Sequence, residues 1–498
     1  MKTTNPSRSR QPETVTPHKT RGQAKPHRQG RRKVAALEDL DLIHLHAAGI
    51  DIGSAENMVC VPARSVGATQ SNVRSFGVFT QEQDDLVEWL RDCGVTTVAM
   101  EATGIYWVTL YDKLESAGLE ALLVDPHSVR HVPGRKSDVL DCQWLQQLHT
   151  YGLLRGAFRP AAAVRRLRTL SRHRADLVAE GGSHLQQAQK ALVQMNVQLP
   201  LVVSDINGET GLRIIEAILN GERDPQALVK LRDPRIKKST VAEMGAALNG
   251  HYTEELLFVL RQNIESWKFY QQQMAACDQQ IEAALKAMAS ADKSTAPEAP
   301  PKPVPPAEPG SPGAKKKRQR PLHGNNAPKV DFSEQIRRVC GVDLTKVCGL
   351  NLLNVLMIIS EIGVDMSRWR NAKAFSSWLG LCPGTKISGG KKLSRRTRHV
   401  VNRASVLLRL AALAAGKTDT WIGRFYRRKR AHLGAPKAIT ATAHKLACVI
   451  YHMLKYQEDF MPLDVAVYEM KAHDRRVRHL RKQVEELGYE LVERKEAA

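Results

Sequence analysis

Between residues 45 and 160 the chain alternates short apolar segments with longer amphipathic ones, and this alternation limits the folds that it can adopt. The short segments are rich in β-branched side chains, which is typical of buried strands. The longer segments are amphipathic and several end at glycine, which is typical of helices. The first three strands follow one another directly and predict an antiparallel meander. The complete order, βββαβαβα, predicts an α/β domain with a ribonuclease-H-like topology.

Four carboxylates lie at the ends of these predicted elements. Asp51 lies in the first strand, within GIDIGS, and Glu101 closes the fourth strand, within AMEATGIYW. Asp138 and Asp141, within RKSDVLDCQWL, are spaced i, i+3 and therefore share one face of a predicted helix. Strands that follow helices are parallel, and ligands bind at the carboxyl ends of such strands. We therefore expect the four carboxylates to converge.

Each of these acids, taken singly, is more simply explained as an ordinary surface or strand-end charge. The four together favour a metal site, because an isolated charge in an apolar strand is costly to bury. A bound cation also relieves the repulsion between neighbouring carboxylates. Mg²⁺ prefers hard oxygen ligands, and two ions about 4 Å apart can hold the attacking and leaving oxygens of a phosphodiester. The sequence therefore predicts a Mg²⁺ site for phosphodiester chemistry.

The chain is strongly basic, with 74 Lys and Arg against 51 Asp and Glu and a net charge of +23. This excess favours a polyanionic partner, most simply nucleic acid, with an anionic membrane surface as the alternative. No apolar run reaches the roughly 18 residues of a transmembrane helix, and the N-terminus shows no apolar signal segment. The eight cysteines form no CxxC pair, which indicates reduced thiols and a cytoplasmic protein without a zinc site.

Composition divides the rest of the chain. A basic, proline-containing tail cannot bury enough apolar surface to fold, and two long helices with apolar stripes predict an antiparallel coiled-coil arm suited to dimerisation or to gripping nucleic acid. A Pro/Lys-rich linker follows. The remainder reads as a mostly α domain and a charged helix with a seam of Leu480, Val484, Leu487 and Leu491. The predicted segments are the tail (1–44), the α/β domain (45–160), the arm (161–290), the linker (291–330), the mostly α domain (331–456) and the charged helix (457–498).

A second candidate site lies in the loop TKISGGKKLSRRTRH of the mostly α domain. Ser388 precedes two glycines, which allow another backbone to approach closely. Serine needs a base or a strongly positive field to act as a nucleophile, and arginines can hold a phosphate and stabilise its transition-state charge. Spacing alone favours the simpler interpretation, a phosphate-gripping turn, and Ser394 and Thr385 are alternative hydroxyls. The surrounding cations Lys391, Lys392, Arg395, Arg396 and Arg398 are expected to bind nucleic acid, and His399 lies beside them.

In these motifs the chain resembles the transposases of insertion sequences whose RuvC-like domain carries a DEDD tetrad. These are relatives of the Piv-type DNA invertases and are understood as bridge-RNA-guided recombinases. The resemblance covers residues 46–160 and about 335–456. It rests on the ordered set GIDIG, MEATGIYW, KSDVLD, VCGLNLLNVLMIISEIG, FSSWLGLCPGTKISGGKK and RASVLLRLAALAA.

The resemblance implies a bacterial, nucleoid-associated enzyme that cuts and rejoins DNA. It implies that Asp51, Glu101, Asp138 and Asp141 bind Mg²⁺, and that Ser388 attacks DNA to form a transient 5′- or 3′-phosphoserine link. It also implies a tetramer built from dimers, in which the tetrad of one subunit is completed by the serine of another. A noncoding RNA that pairs with donor and target DNA would set the sequence choice.

Two other functions remain compatible with the same residues. A RuvC-like junction resolvase or nuclease would use the tetrad with water as nucleophile, and Ser388 would then be dispensable. A non-catalytic RNA- or DNA-binding protein would tolerate Asp51→Asn. The four acids together with the Ser-Gly-Gly loop favour the recombinase over both alternatives.

Overall fold

The computed structural model describes residues 41–67, 69–125, 137–291, 324–394, 396–398, 400 and 402–492. The chain divides into two compact units, Met1–Arg159 and Pro160–Ala498. Most of the predicted tail (1–40) and most of the predicted linker (292–323) lie outside the described residues. No described helix is both long enough and apolar enough to cross a membrane.

The first unit is built on a five-stranded mixed sheet with the strand order β3-β2-β1-β4-β5. The first three strands form the predicted antiparallel meander, whereas β4 and β5 add in parallel on the other side of β1. This topology confirms the predicted ribonuclease-H-like fold. The elements are β1 (Ala47–Ile52), β2 (Glu56–Cys60), β3 (Val73–Gly77), α1 (Thr80–Asp92), β4 (Thr97–Glu101), α2 (Trp107–Ser116), β5 (Glu120–Val124) and α3 (Asp138–Thr150).

The core of this unit lies on one face of the sheet, against α1 and α2. Ile50, Met100 and Leu123 from the three parallel strands β1, β4 and β5 pack there with Leu86 of α1 and Leu110 of α2. Because side chains alternate along a strand, the odd-numbered residues of β1 face the opposite side. That side is covered by α3. The sheet therefore separates its hydrophobic core from the face that carries the first candidate site.

The second unit is largely helical. Its two longest helices, α4 and α9, pair along their lengths as the predicted arm, and the short helices between them close one end around an apolar cluster. A mostly helical region follows and carries one two-stranded ribbon. The elements are α4 (Ala162–Gln194), α5 (Leu199–Val202), α6 (Glu209–Leu219), α7 (Pro225–Val229), α8 (Val241–Leu248), α9 (Glu254–Ala291), α10 (Ser333–Cys340), α11 (Leu352–Ile362), α12 (Ala372–Trp378), β6 (Lys386–Ser388), β7 (Lys391–Ser394), α13 (Arg403–Gly416), α14 (Trp421–Leu433), α15 (Ala435–Tyr456) and α16 (Val465–Glu486).

Polar contacts join the arm to the region that the sequence treats as a separate domain. Arg172 of α4 holds both carboxylate oxygens of Glu361 at the end of α11, at 2.8 and 2.9 Å. Arg168 donates to the carbonyls of Ser360 and Glu361 at 3.1 and 2.6 Å. Arginine thus supplies donors to carbonyls at the C-terminus of α11, which lack partners within the helix. The arm and this region therefore form one unit.

The last residues of the predicted linker also belong to this unit. Inside the arm, the buried Arg174 and Asp278 form an ion pair at 2.5 Å. Arg174 donates to the carbonyl of Asn326, and Asp278 accepts from the backbone N–H of Lys329 at 2.9 Å. Residues 324–330 are therefore packed on the arm, although their composition reads as a spacer.

The C-terminal helix ends before the last residues of the apolar seam that the sequence predicts. Helix α16 ends at Glu486, and Gly488 follows with a left-handed backbone (φ 81°). Leu487 and Leu491 therefore lie outside the helix, and the prediction of a continuous seam to Leu491 is wrong. The physical reason is the glycine, which ends helices by adopting a conformation that other residues avoid.

Candidate active site

Two parallel strands at the centre of the sheet place Asp51 beside Glu101. β1 and β4 pair with Ile50 opposite Met100, and the two acids are the next residue on each strand. Residues at equivalent positions of paired strands point to the same face of a sheet. Both carboxylates therefore lie at the same edge of the sheet and on the face that α3 covers.

Gly49 allows α3 to approach that face. A Cβ at this position would lie 2.3 Å from the backbone nitrogen of Gln146 and 2.4 Å from the carbonyl oxygen of Cys142. Both atoms belong to the backbone of α3, so only a displaced helix would make room for a side chain. The absence of a side chain thus brings the first turn of α3 to Asp51. The sequence carries one signal of this approach that pattern reasoning missed, namely a glycine inside an otherwise apolar strand.

The first turn of α3 carries the other two acids. Ser137 caps the helix by accepting a hydrogen bond from the backbone N–H of Leu140. Asp138 and Asp141 follow within the first turn, where the helix dipole favours negative charge. One oxygen from each of Asp51, Asp138 and Asp141 lies within 4.8 Å of those of the other two. These three residues are called the acidic triad. In the described part of the chain, Glu101 does not meet the same distance criterion.

Burial and like charges raise the pKa of Asp51 from 3.8 to about 6. The largest cause is removal of the half-buried carboxylate from water, and the negative charges of Asp138, Asp141 and Glu101 add to it. A hydrogen bond from the backbone N–H of Ile52 acts in the opposite direction. Glu101 thus lies close enough to act on Asp51 electrostatically.

The acidic triad fits a divalent cation. Its three donors are hard carboxylate oxygens, which suit Mg²⁺, Ca²⁺ or Mn²⁺ rather than zinc or copper. After burial, the negative charges of the neighbouring acids are the second cause of the raised pKa of Asp51, so they oppose its ionisation. A cation at their centre would remove that opposition. Asp51, Asp138 and Asp141 are therefore the residues that could hold the ion, with Glu101 nearby.

Ser388 lies in the second unit, at the tip of the ribbon formed by β6 and β7. The sequence predicts a loop here, but the structure has two paired strands joined by Gly389 and Gly390. Both glycines have positive φ values, 54° and 76°, which is the requirement of a two-residue type I′ turn. Ser388 and Lys391 pair directly across this turn. The serine side chain is therefore exposed at the end of a defined element.

The predicted basic residues around Ser388 differ in their surroundings. Lys391, Lys392 and Arg396 are exposed along the ribbon. Arg398 donates to the carbonyl of Ser377, at the end of α12, at 3.1 Å, so it also anchors the base of the ribbon. Arg395 and His399 lie outside the described residues. Of the alternative hydroxyls, Ser394 accepts a hydrogen bond from the backbone N–H of Arg396, whereas Thr385 precedes the ribbon.

Two family models match the chain. A model of the IS110-type DEDD transposase matches residues 48–197, which include the four predicted acids. A model described as the transposase IS116/IS110/IS902 family matches residues 343–427, which include Ser388 and the β6–β7 ribbon. A comparison with curated proteins gave no match.

The two matches occur in the order that the resemblance in sequence predicts, and each contains one of the two candidate sites. A DEDD-type transposase domain implies the use of a divalent metal ion and DNA as substrate. The two matches therefore support a transposase of the DEDD-type IS110 family, whose members are insertion-sequence enzymes that cut and rejoin DNA.

Proposed function

We propose that this transposase acts through Mg²⁺-dependent phosphoryl transfer with a transient phosphoserine link on Ser388, guided by a noncoding bridge RNA. The observation that carries the proposal is the approach of three carboxylates to within 4.8 Å of one another at the edge of a ribonuclease-H-like sheet. Neighbouring carboxylates repel one another, and a bound cation would offset that repulsion.

Asp51, Asp138 and Asp141 would hold the ion, with Glu101 completing the tetrad. When bound, the ion would stabilise the charge that develops on the scissile phosphate and on the oxygens that enter and leave it. The contribution of the chain is to fix the carboxylates before DNA arrives, through the parallel strands for two of them and through the first turn of α3 for the other two. Neutralising any one of these acids should therefore affect chemistry more than DNA binding.

Ser388 would supply the nucleophile. Its Oγ forms a bond to phosphorus while the bond from phosphorus to one deoxyribose oxygen breaks, and the released oxygen takes up a proton. The number of phosphodiester bonds is conserved, so strands can be exchanged and resealed without ATP. The exposed position of Ser388 at the tip of a ribbon supports this role, because a nucleophile has to reach a phosphate on the backbone of DNA.

The net positive charge supports the other partners in this proposal. Donor DNA, target DNA and a guide RNA together present a large polyanion, and a chain of net charge +23 is suited to bind it. Residues 1–34 hold ten Lys and Arg and one acid and would contact phosphates without sequence preference. By family resemblance, the working assembly would be a homotetramer built from two dimers, in the bacterial cytoplasm and associated with the nucleoid.

A test of the proposal follows the covalent link directly. The purified protein and its element's RNA are incubated with end-labelled donor and target DNA and Mg²⁺, then denatured and separated on a gel. We expect a labelled protein–DNA adduct that Ser388→Ala abolishes and that the matched control Ser394→Ala retains. Omitting the RNA should remove the adduct if sequence choice depends on pairing with the guide.

Three other outcomes would contradict parts of the proposal. Cleavage without an adduct would indicate a nuclease that uses water. An adduct abolished by Ser394→Ala instead would place the nucleophile on β7. Full recombination by Asp51→Asn would exclude the metal site, and the exposed Asp85→Asn on α1 is the matched control for that substitution, because it removes a carboxylate of the same unit that lies outside the acidic triad.

A further inference from the structure

The β6–β7 ribbon carries two exposed aliphatic side chains that nucleophilic catalysis by Ser388 does not require. Ile387 is 60% exposed and Leu393 is 68% exposed. A single exposed aliphatic residue is ordinary in a soluble protein. Here two of them lie within seven residues, next to lysines and around a candidate nucleophile. This pattern is typical of a surface that binds a partner.

The strand register places most of these side chains on one face of the ribbon or the other. Ser388 pairs with Lys391, and Ile387 pairs with Lys392. Paired residues of antiparallel strands point to the same face, so Ile387 and Lys392 share one face. The pairing then shifts, because Lys386 pairs with Ser394, so Leu393 lies at a bulge between Lys392 and Ser394 where the regular alternation of faces is interrupted. Lys391 and Lys392 thus lie on opposite faces of the ribbon, with Ile387 beside Lys392 and Leu393 at the bulge.

The ribbon also projects from its unit. A Cβ built on Gly389 or Gly390 would have no atom of the described residues within 4 Å, so the turn does not pack against that part of the chain. The base is fixed by the bond from Arg398 to Ser377 and by the backbone N–H of Gly384, which donates to the carbonyl of Arg396 at 2.9 Å. A ribbon with a fixed base and a free tip can insert into a concave partner without refolding.

The charge around the ribbon selects that partner. Residues 366–418 contain twelve Lys or Arg and no Asp or Glu. A surface of this kind repels basic proteins and attracts phosphates. The aliphatic side chains need in addition a surface with apolar contacts, which the edges of stacked bases provide. Duplex DNA combines both, and it is the substrate of the family.

We propose that the β6–β7 ribbon enters a groove of duplex DNA, with Lys391 and Lys392 on the phosphates of its two walls and Ile387 and Leu393 against base edges. The major groove is wide enough to admit a two-stranded ribbon, and aliphatic side chains are the groups with which proteins contact thymine methyls or wedge base steps. The inference rests on the DNA substrate of a transposase and is independent of whether Ser388 forms a covalent link.

The test separates the apolar contacts from the ionic ones by their salt dependence. Binding of a short fluorescein-labelled duplex of mixed sequence is followed by anisotropy over a series of KCl concentrations, with Ser388→Ala in every variant and with EDTA, so that no strand is cut. We expect Ile387→Ser/Leu393→Ser to weaken binding about tenfold at every salt concentration. We expect Lys391→Gln/Lys392→Gln to reduce the salt slope by about 0.9 for each lysine removed.

Heparin provides a second polyanion without bases or a groove. The Ile387→Ser/Leu393→Ser variant should elute from heparin at the same salt concentration as the parent, because its charge is unchanged. Leu433→Ser is the matched control, since Leu433 is 45% exposed at the end of α14 and should not affect either assay. The conservative variant Ile387→Leu/Leu393→Ile should bind DNA as the parent does.

Several results would overturn the proposal. Unchanged DNA affinity of the Ile387→Ser/Leu393→Ser variant would show that the aliphatic side chains do not contact DNA. An equal loss on DNA and on heparin would show that the substitutions disturb the ribbon as a whole. Loss of self-association in sedimentation, with DNA binding intact, would assign these side chains to a protein interface.

Discussion

The backbone nitrogen of Gln146 lies over Gly49, only 2.3 Å from the point where a Cβ on that residue would stand. This contact sets how closely α3 approaches the central strand. It therefore also sets the distance from Asp51 to the two acids in the first turn of the helix. The geometry of the acidic triad thus depends on a residue that has no side chain.

We expect Gly49→Ala to disturb the metal site while leaving the unit folded. An added methyl group in a close-packed contact typically costs about 1 to 3 kcal/mol, and relief requires α3 to move. The concentration of Mg²⁺ needed for half-maximal DNA cleavage should rise at least about tenfold. Gly67→Ala is the control, since its Cβ would meet nothing nearer than 3.8 Å. An unchanged metal requirement in Gly49→Ala would show that α3 does not position the acids.

Asp51→Asn should stabilise the metal-free protein above pH 6. The carboxyl of Asp51 has its pKa raised to about 6 in the fold, so the native state favours its protonated form. The stability that comes with the protonated carboxyl of Asp51 is fully present below the pKa of this group in the unfolded chain. It is lost as the pH rises through about 6. At higher pH the substitution should therefore raise the free energy of unfolding by on the order of 1 to 3 kcal/mol. Denaturant unfolding in EDTA on both sides of pH 6 measures this difference.

Mg²⁺ should reverse the order of stability of the parent protein and Asp51→Asn. Above pH 6 the ion should stabilise the parent and have little effect on Asp51→Asn, and below pH 5 it should stabilise neither, because a protonated carboxyl is a poor ligand. Equal stabilisation of both proteins at high pH would place the ion elsewhere.

Removing one partner of the buried Arg174–Asp278 pair should destabilise the second unit. Asp278 is fully buried and also accepts from the backbone of Lys329. Asp278→Ala leaves the guanidinium buried without its counter-charge, at a cost of about 3 to 5 kcal/mol. The double variant Arg174→Met/Asp278→Leu should recover most of this loss. Thermal unfolding tests both, and an Asp278→Ala protein as stable as the parent would contradict the expectation.

Deleting residues 1–34 should weaken nucleic-acid binding and flatten its salt dependence. Ten Lys and Arg lie in this segment, and the slope of log K against log salt should fall by about 0.9 for each phosphate that the tail neutralises. Anisotropy with labelled duplex DNA and with labelled RNA over a salt series measures the slope. An unchanged slope on both would show that the tail takes no part in binding.

Local patterns were enough to predict the first unit. The strands that hold Asp51 and Glu101 have apolar runs of the right length, and the order of strands and helices leaves few topologies. The spacing of Asp138 and Asp141 placed them on one helical face without any knowledge of the fold. What the sequence did not reveal is the packing distance between α3 and β1, because that distance is set by an absent side chain at Gly49.

Long-range polar contacts were beyond sequence reasoning. Glu361 ends an apolar helix and reads as a surface charge, yet it binds Arg172, which lies 189 residues away in the chain. No periodicity connects two such residues. The same holds for Arg398, which was predicted to bind nucleic acid and is found to donate to the end of α12. By contrast, Gly488 was a readable signal that the last helix stops before Leu491.

The attachment of residues 326–329 to the arm changes what the proline-rich segment before them can do. Asn326 and Lys329 are held by side chains on the two long helices, next to Asp278. The segment departs from Ala291 of the same helix, about 20 Å further along at the helical rise of 1.5 Å per residue. The described residues on both sides of 292–323 thus belong to one body, so the spacing of the arm and the mostly α region does not depend on that segment. The segment is consequently a suitable place to fuse a reporter or an affinity module, and a much shorter connection should leave recombination intact.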